Sequence, residues 1–100
     1  SIDSVYIKVT PKKDGEPYIP QEGDVIRFAM KKRYKDPDEN VLINKELTTI
    51  GDDLILKITP EETKALKMNA AYVYDIELTD VDGDVCTFIK GNIILTEEVL

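Results

Sequence analysis

Tyr72-Val73-Tyr74-Asp75-Ile76-Glu77-Leu78-Thr79-Asp80-Val81-Asp82-Gly83-Asp84-Val85 carries the clearest strand-and-turn pattern in the chain. Tyr72, Tyr74, Ile76 and Leu78 alternate with Val73, Asp75, Glu77 and Thr79. A period of two sends one row to a buried face and the other to water, so the segment reads as a half-buried strand. Asp82-Gly83 then supplies a turn. Asp-Gly suits a two-residue type I′ turn, in which both central positions need positive φ. Counting outward sets Ile76 opposite Ile89, Leu78 opposite Thr87 and Asp75 opposite Lys90. Apolar then meets apolar on one face and opposite charges meet on the other. Gly91 lands opposite Tyr74, where its lack of a side chain leaves room for the ring. A three-residue loop would instead place Ile76 against Phe88.

Upstream, Ile58-Thr59-Pro60-Glu61-Glu62-Thr63-Lys64-Ala65-Leu66 breaks the alternation. Thr59 followed three residues later by Glu62 makes a capping box, with Pro60 at the first helical position. The acids also sit well at the positive end of a helix dipole. A short crossover helix is expected over residues 60–66, with Leu66 or Ala65 plugging the end of a core. A strand, a crossover and then a Tyr opening the next strand is the arrangement of a tyrosine corner, in which the phenol oxygen returns to backbone a few residues upstream. Tyr72 is the candidate.

Further out, Val5, Ile7 and Val9 alternate, as do Ile26, Phe28 and Met30, and Leu54, Leu56 and Ile58. Lys12-Lys13-Asp14-Gly15-Glu16-Pro17, Pro20-Gln21-Glu22-Gly23 and Lys35-Asp36-Pro37-Asp38-Glu39-Asn40 carry turn residues between the runs. The run Val41-Leu42-Ile43-Asn44-Lys45-Glu46-Leu47 is the least regular and reads as an edge strand. With no linker dividing the chain, residues 1–100 form a single domain. The expected fold is all-β: an immunoglobulin-like antiparallel β-sandwich of about seven strands. A small antiparallel barrel is the rival with the same strand count.

The segments 58–66, 72–79 and 82–85, with Gly23-Asp24-Val25-Ile26-Arg27-Phe28 as a second strand, resemble small immunoglobulin-like domains encoded in prophages of Gram-positive bacteria. These are similar to the N-terminal domain of phage upper-baseplate proteins. The resemblance covers roughly residues 21–97 and rests on turns and core positions. It implies a structural or adhesion module of a phage tail or baseplate, virion-associated, with other phage structural proteins or further copies of itself as partners. It carries over no catalytic residue. Baseplate proteins of this kind continue into further domains, so for a chain ending at Leu100 a stand-alone tail or prophage accessory protein is expected. Without that resemblance the bacterial cytoplasm is the expected location.

Composition narrows the chemistry. There is no histidine, so the usual general base and the commonest transition-metal ligand are missing. One cysteine, Cys86, makes neither an intramolecular disulfide nor a thiolate cluster, and without an activating base beside it, it reads as a small packed hydrophobe. No enzyme activity, cofactor or structural metal is expected. Twenty acids against 13 bases argue against nucleic acid, and no apolar stretch is long enough to span a membrane. The basic run Lys31-Lys32-Arg33-Tyr34-Lys35 is followed at once by Asp36-Pro37-Asp38-Glu39, and the two read as sides of one loop held together by charge. Asp80, Asp82 and Asp84 invite a calcium reading, but the EF-hand pattern fails because Gly91 stands where the closing Glu belongs. The expected binding feature is therefore the edge at Val41, Leu42 and Ile43, whose unpaired backbone groups can accept another chain. The alternative is a surface glycan site, with or without calcium, and its mark would be a concave patch holding Tyr18 or Tyr34 beside carboxylates.

Overall fold

Along β4 (Val25–Lys31) the alternation becomes burial: Ile26, Phe28 and Met30 are buried, while Arg27 is exposed. In this computed structural model, which describes residues 5–10, 12–50, 53–64, 66–67 and 69–94, β4 pairs antiparallel on both sides. On one side lies β5 (Ile43–Glu46); on the other lies β8 (Ala71–Thr79), with β9 (Val85–Ile94) beyond it. The four make a sheet in the order β5-β4-β8-β9. A second sheet has β7 (Asp53–Ile58) between β1 (Val5–Val9) and β6 (Thr48–Ile50). Val9, Leu54, Leu56 and Ile58 from this sheet share one core cluster with Ile26, Phe28, Met30, Ile43, Ile76 and Leu78 from the other. Two antiparallel sheets thus bury one face each against the other, which is an all-β sandwich.

The strand expected over Val41–Leu47 divides. Only Ile43–Glu46 pairs with β4, and it ends the four-stranded sheet. Leu47 is buried at the corner, where its N–H donates to the Ile26 carbonyl at 2.8 Å. The next residues, Thr48–Ile50, pair with β7 in the opposite sheet. One continuous β-prone run therefore serves both sheets, which strand propensity does not reveal.

The crossover helix is one turn, α1 (Pro60–Thr63), shorter than the expected 60–66. Its capping box is complete: the Thr59 hydroxyl oxygen accepts from the Glu62 N–H at 3.3 Å, and Glu62 Oε1 accepts from the Thr59 N–H at 2.9 Å. The Thr63 hydroxyl bonds back to the Pro60 carbonyl at 3.0 Å, and the Leu66 N–H donates to the Thr63 carbonyl at 3.0 Å. These tighter bonds end the helix and turn Leu66 into the core, 8% exposed, as the plug; Ala65 lies outside the described residues. Asn69, with φ 61°, then redirects the chain into β8. The corner forms as expected, with the Lys67 N–H donating to the Tyr72 phenol oxygen at 2.8 Å.

The β8–β9 hairpin corrects the expected turn. Of the two central residues only Gly83 has positive φ, at 85°; Asp82 does not, so the turn is not type I′. The Asp80 N–H donates to the Asp84 carbonyl and the Gly83 N–H to the Asp80 carbonyl, each at 3.0 Å. This is a three-residue loop closed by a glycine bulge. The Asp80 carboxylate holds it, accepting from the N–H groups of Asp82 at 2.9 Å and Asp84 at 3.0 Å. Leu78 consequently faces Cys86 and not Thr87. A second irregularity lies beyond: Ile76 pairs with Ile89 and Glu77 with Thr87, leaving Phe88 as the extra residue of a bulge. That bulge restores the expected pairs Ile76–Ile89, Asp75–Lys90 and Tyr74–Gly91. The type I′ geometry occurs instead at Asp14-Gly15 (φ 54° and 81°), between β2 (Lys12–Lys13) and β3 (Glu16–Pro17).

Candidate functional site

Strand β5 has β4 on one side and, among the described residues, no strand on the other. The three residues expected to form its apolar edge do not share a surface. Ile43 is buried in the core, Val41 is half-buried, and Leu42 is 43% exposed while its N–H donates to the Met30 carbonyl at 2.8 Å. Leu42 is thus the exposed apolar side chain at the entry to the edge.

The inner row of β5 carries a charge. Lys45 sits between Ile43 and Leu47 in that row, with a quarter of its side chain exposed, and its ammonium bonds Glu62 Oε1 at 2.7 Å and the Lys57 carbonyl of β7. Partial burial pushes the Glu62 carboxyl up, but Lys45 and the Thr59 N–H and hydroxyl outweigh it and hold the group below its usual range. The capping box therefore does a second task, clamping the edge of one sheet onto the other. An inward charge also discourages indiscriminate strand addition. Sequence reading missed this pair because Lys45 and Glu62 are 17 residues apart.

The basic run is folded onto its acids as expected. The Lys31 ammonium bonds Asp38 Oδ1 at 2.8 Å and the Asp36 carbonyl at 3.0 Å, and Asp36 Oδ2 accepts from the Arg33 N–H at 3.2 Å. The Lys31 charge holds the Asp38 carboxyl below its usual range. Tyr34 reaches back over the sheet, its hydroxyl 3.0 Å from the Gly91 carbonyl and 3.2 Å from that of Tyr74, with the Lys90 ammonium 5.7 Å from its ring centre. Tyr18 serves its own loop. Its hydroxyl donates to the Asp24 carboxylate, and this bond with partial burial pushes the phenol up to about 12.

Beside the edge, the outer face of the four-stranded sheet is hollowed. A groove of about 270 Å³ is lined by Arg27, Ala29, Lys31, Val41, Asp75 and Glu77 among others, and a neighbour of about 190 Å³ by Tyr34, Val73, Tyr74 and Lys90. The concave patch thus brings Tyr34 beside a carboxylate, that of Asp75, and leaves Tyr18 out. The small Ala29 between the long Arg27 and Lys31 on the outward row was the available signal in the sequence.

The other candidates resolve locally. Asp80 Oδ1 is engaged by two backbone N–H groups, and among the described residues no three His, Cys, Asp or Glu side chains converge as a metal site. Cys86 is half-buried, with its sulfur 3.9 Å from the Thr87 carbonyl. Among the described residues no helix is long and apolar enough to cross a membrane. No family model, curated protein or solved structure matches the chain.

Proposed function

We propose that this domain is a non-catalytic assembly or adhesion module that binds protein partners at its strand edges and loops. The observation that carries the reading is the outer side of β5, which ends the four-stranded sheet beside the exposed Leu42. Extended strands can add there through main-chain hydrogen bonds, with Leu42 as the apolar anchor and Val41 and Ile43 setting the backbone. The clamp of Lys45 on Glu62 and the Lys57 carbonyl supports it by fixing the edge, so that a partner meets an ordered template. An immunoglobulin-like relationship and a phage-tail role are part of this proposal; tail structural proteins or a second copy are the partners it names.

The test is size-exclusion chromatography with light scattering, on the domain alone and mixed with the tail proteins encoded beside its gene. A complex in either arm that Leu42→Lys abolishes, with melting unchanged, is the expected result. A domain that stays monomeric and binds none of those proteins, or a complex indifferent to Leu42→Lys, overturns the reading. A cell-wall or secretion operon around the gene counts equally against the tail role.

A further inference from the structure

The groove and its neighbour share Ala29, Lys31 and Asp75, so they run together as one trough across β4 and β8. Register explains it. Asn44, Ala29, Asp75 and Lys90 form one row across the four strands, and at Ala29 the row has only a methyl group. Arg27 and Glu77 rise on one side of the gap, Lys31 and Tyr34 on the other. The walls are held before any ligand arrives: Arg27 Nε donates to Asn44 Oδ1 at 3.0 Å, Lys31 is tied to Asp38, and Tyr34 to two strand carbonyls. Asp75 is different. It is half-buried, lines both hollows, and among the described residues its carboxylate has no hydrogen bond or ion pair.

We propose that this trough is a binding subsite for a neutral, polyhydroxylated ligand, one ring of a saccharide, with Asp75 accepting hydrogen bonds from adjacent hydroxyls. Charge selects the class. Arg27, Lys31 and Lys90 alternate with Asp38, Asp75 and Glu77 around the trough. An anion meets the carboxylates and a cation meets the ammonium and guanidinium groups, whereas a neutral polyol offers donors to one set and acceptors to the other. Each hollow, about 270 Å³ and 190 Å³, is of a size to seat one sugar ring. The Tyr34 ring, 48% exposed, gives the apolar C–H face of a sugar a wall to pack on.

The experiment is titration of the isotope-labelled domain, followed by amide NMR shifts, with glucose, galactose and N-acetylglucosamine in turn. Inorganic phosphate and spermidine are the charged controls. At least one neutral sugar is expected to give saturable shifts centred on Ala29 and Asp75, weakened at least tenfold by Asp75→Asn. Ala29→Leu, which fills the trough and removes no polar group, is expected to do the same with the rest of the spectrum unchanged. Leu42→Lys leaves this binding intact, which separates it from the edge reading. No saturable shift with any neutral sugar, a stronger response to phosphate or spermidine, or wild-type binding by Ala29→Leu overturns the proposal.

Discussion

The two edges of the four-stranded sheet are managed differently. β5 is four residues long and carries an inward lysine clamped across to the other sheet. β9 is ten residues long, and among the described residues its outer side also has no strand partner. Its one charged residue, Lys90, lies on the outer face of the sheet; it has a bulge at Phe88, the glycine at position 91, and the Tyr34 hydroxyl against the Gly91 carbonyl. The short edge is guarded electrostatically and the long one by distortion, while the Tyr34 hydroxyl ties β9 to β8. A ten-residue edge left flat would be a stronger template for unwanted pairing than a four-residue one, so it needs bending, while the short one can remain available to a chosen partner.

The largest effect should come from Glu62→Ala, which leaves Lys45 partly buried without its carboxylate and the Thr59 N–H uncapped. We expect a loss of about 2–3 kcal/mol in chemical denaturation, because removing one partner of a partly buried pair costs more than the pair contributes. Its pH dependence sharpens the point. The folded carboxyl lies below its ordinary 4.5, so its contribution is present above that value and fades as pH falls through the folded range. The melting difference between wild type and Glu62→Gln should therefore shrink from pH 6 to pH 3; a constant difference would show that the charge is not what matters.

On the other edge, a Cβ added at Gly91 would stand 3.0 Å from the Tyr74 ring, so Gly91→Ala should cost about 1–3 kcal/mol as the ring is forced to shift. Tyr34→Phe removes one hydroxyl shared by two carbonyls and should cost about 1 kcal/mol, with amide hydrogen exchange rising at the Gly91 end of β9. Equal protection in that variant would remove the tie from the account. The smallest stability change is expected for Lys45→Met, which keeps the apolar stem while Glu62 retains its Thr59 bonds. Its effect should appear as association: without the inward charge, the domain should self-associate at lower concentration in light scattering. Unchanged association would mean that β5 is guarded by something other than Lys45.

Much of the sandwich was legible because burial follows alternation. Ile26, Phe28 and Met30, or Leu54, Leu56 and Ile58, declare their faces without knowledge of any neighbour. The capping box was equally readable, since Thr59 and Glu62 meet within one turn. Turn type was less so. Asp14-Gly15 and Asp82-Gly83 are the same dipeptide, yet only the first takes positive φ at both residues. The second has Asp80 two residues earlier, whose carboxylate gathers two N–H groups into a longer loop. The expected pairing of Ile76 with Ile89 nevertheless holds, because the Phe88 bulge offsets the extra loop residue. Of the candidate edge, position in the sheet was readable, but the division among core Ile43, half-buried Val41 and exposed Leu42 was not.

Contacts between near neighbours were readable from the chain: the period-two faces, the helix cap and the corner tyrosine, along with an inventory without histidine. Contacts between residues far apart in the chain were not. Glu62 meets Lys45, Tyr34 meets Gly91, and Ala29 opens a trough between Arg27 and Lys31 with Asp75 across the strand. The reason is physical. Local rules follow from backbone geometry over a few residues, whereas a clamp, a tie or a hollow exists only once β5, β4, β8 and β9 have taken their order and register.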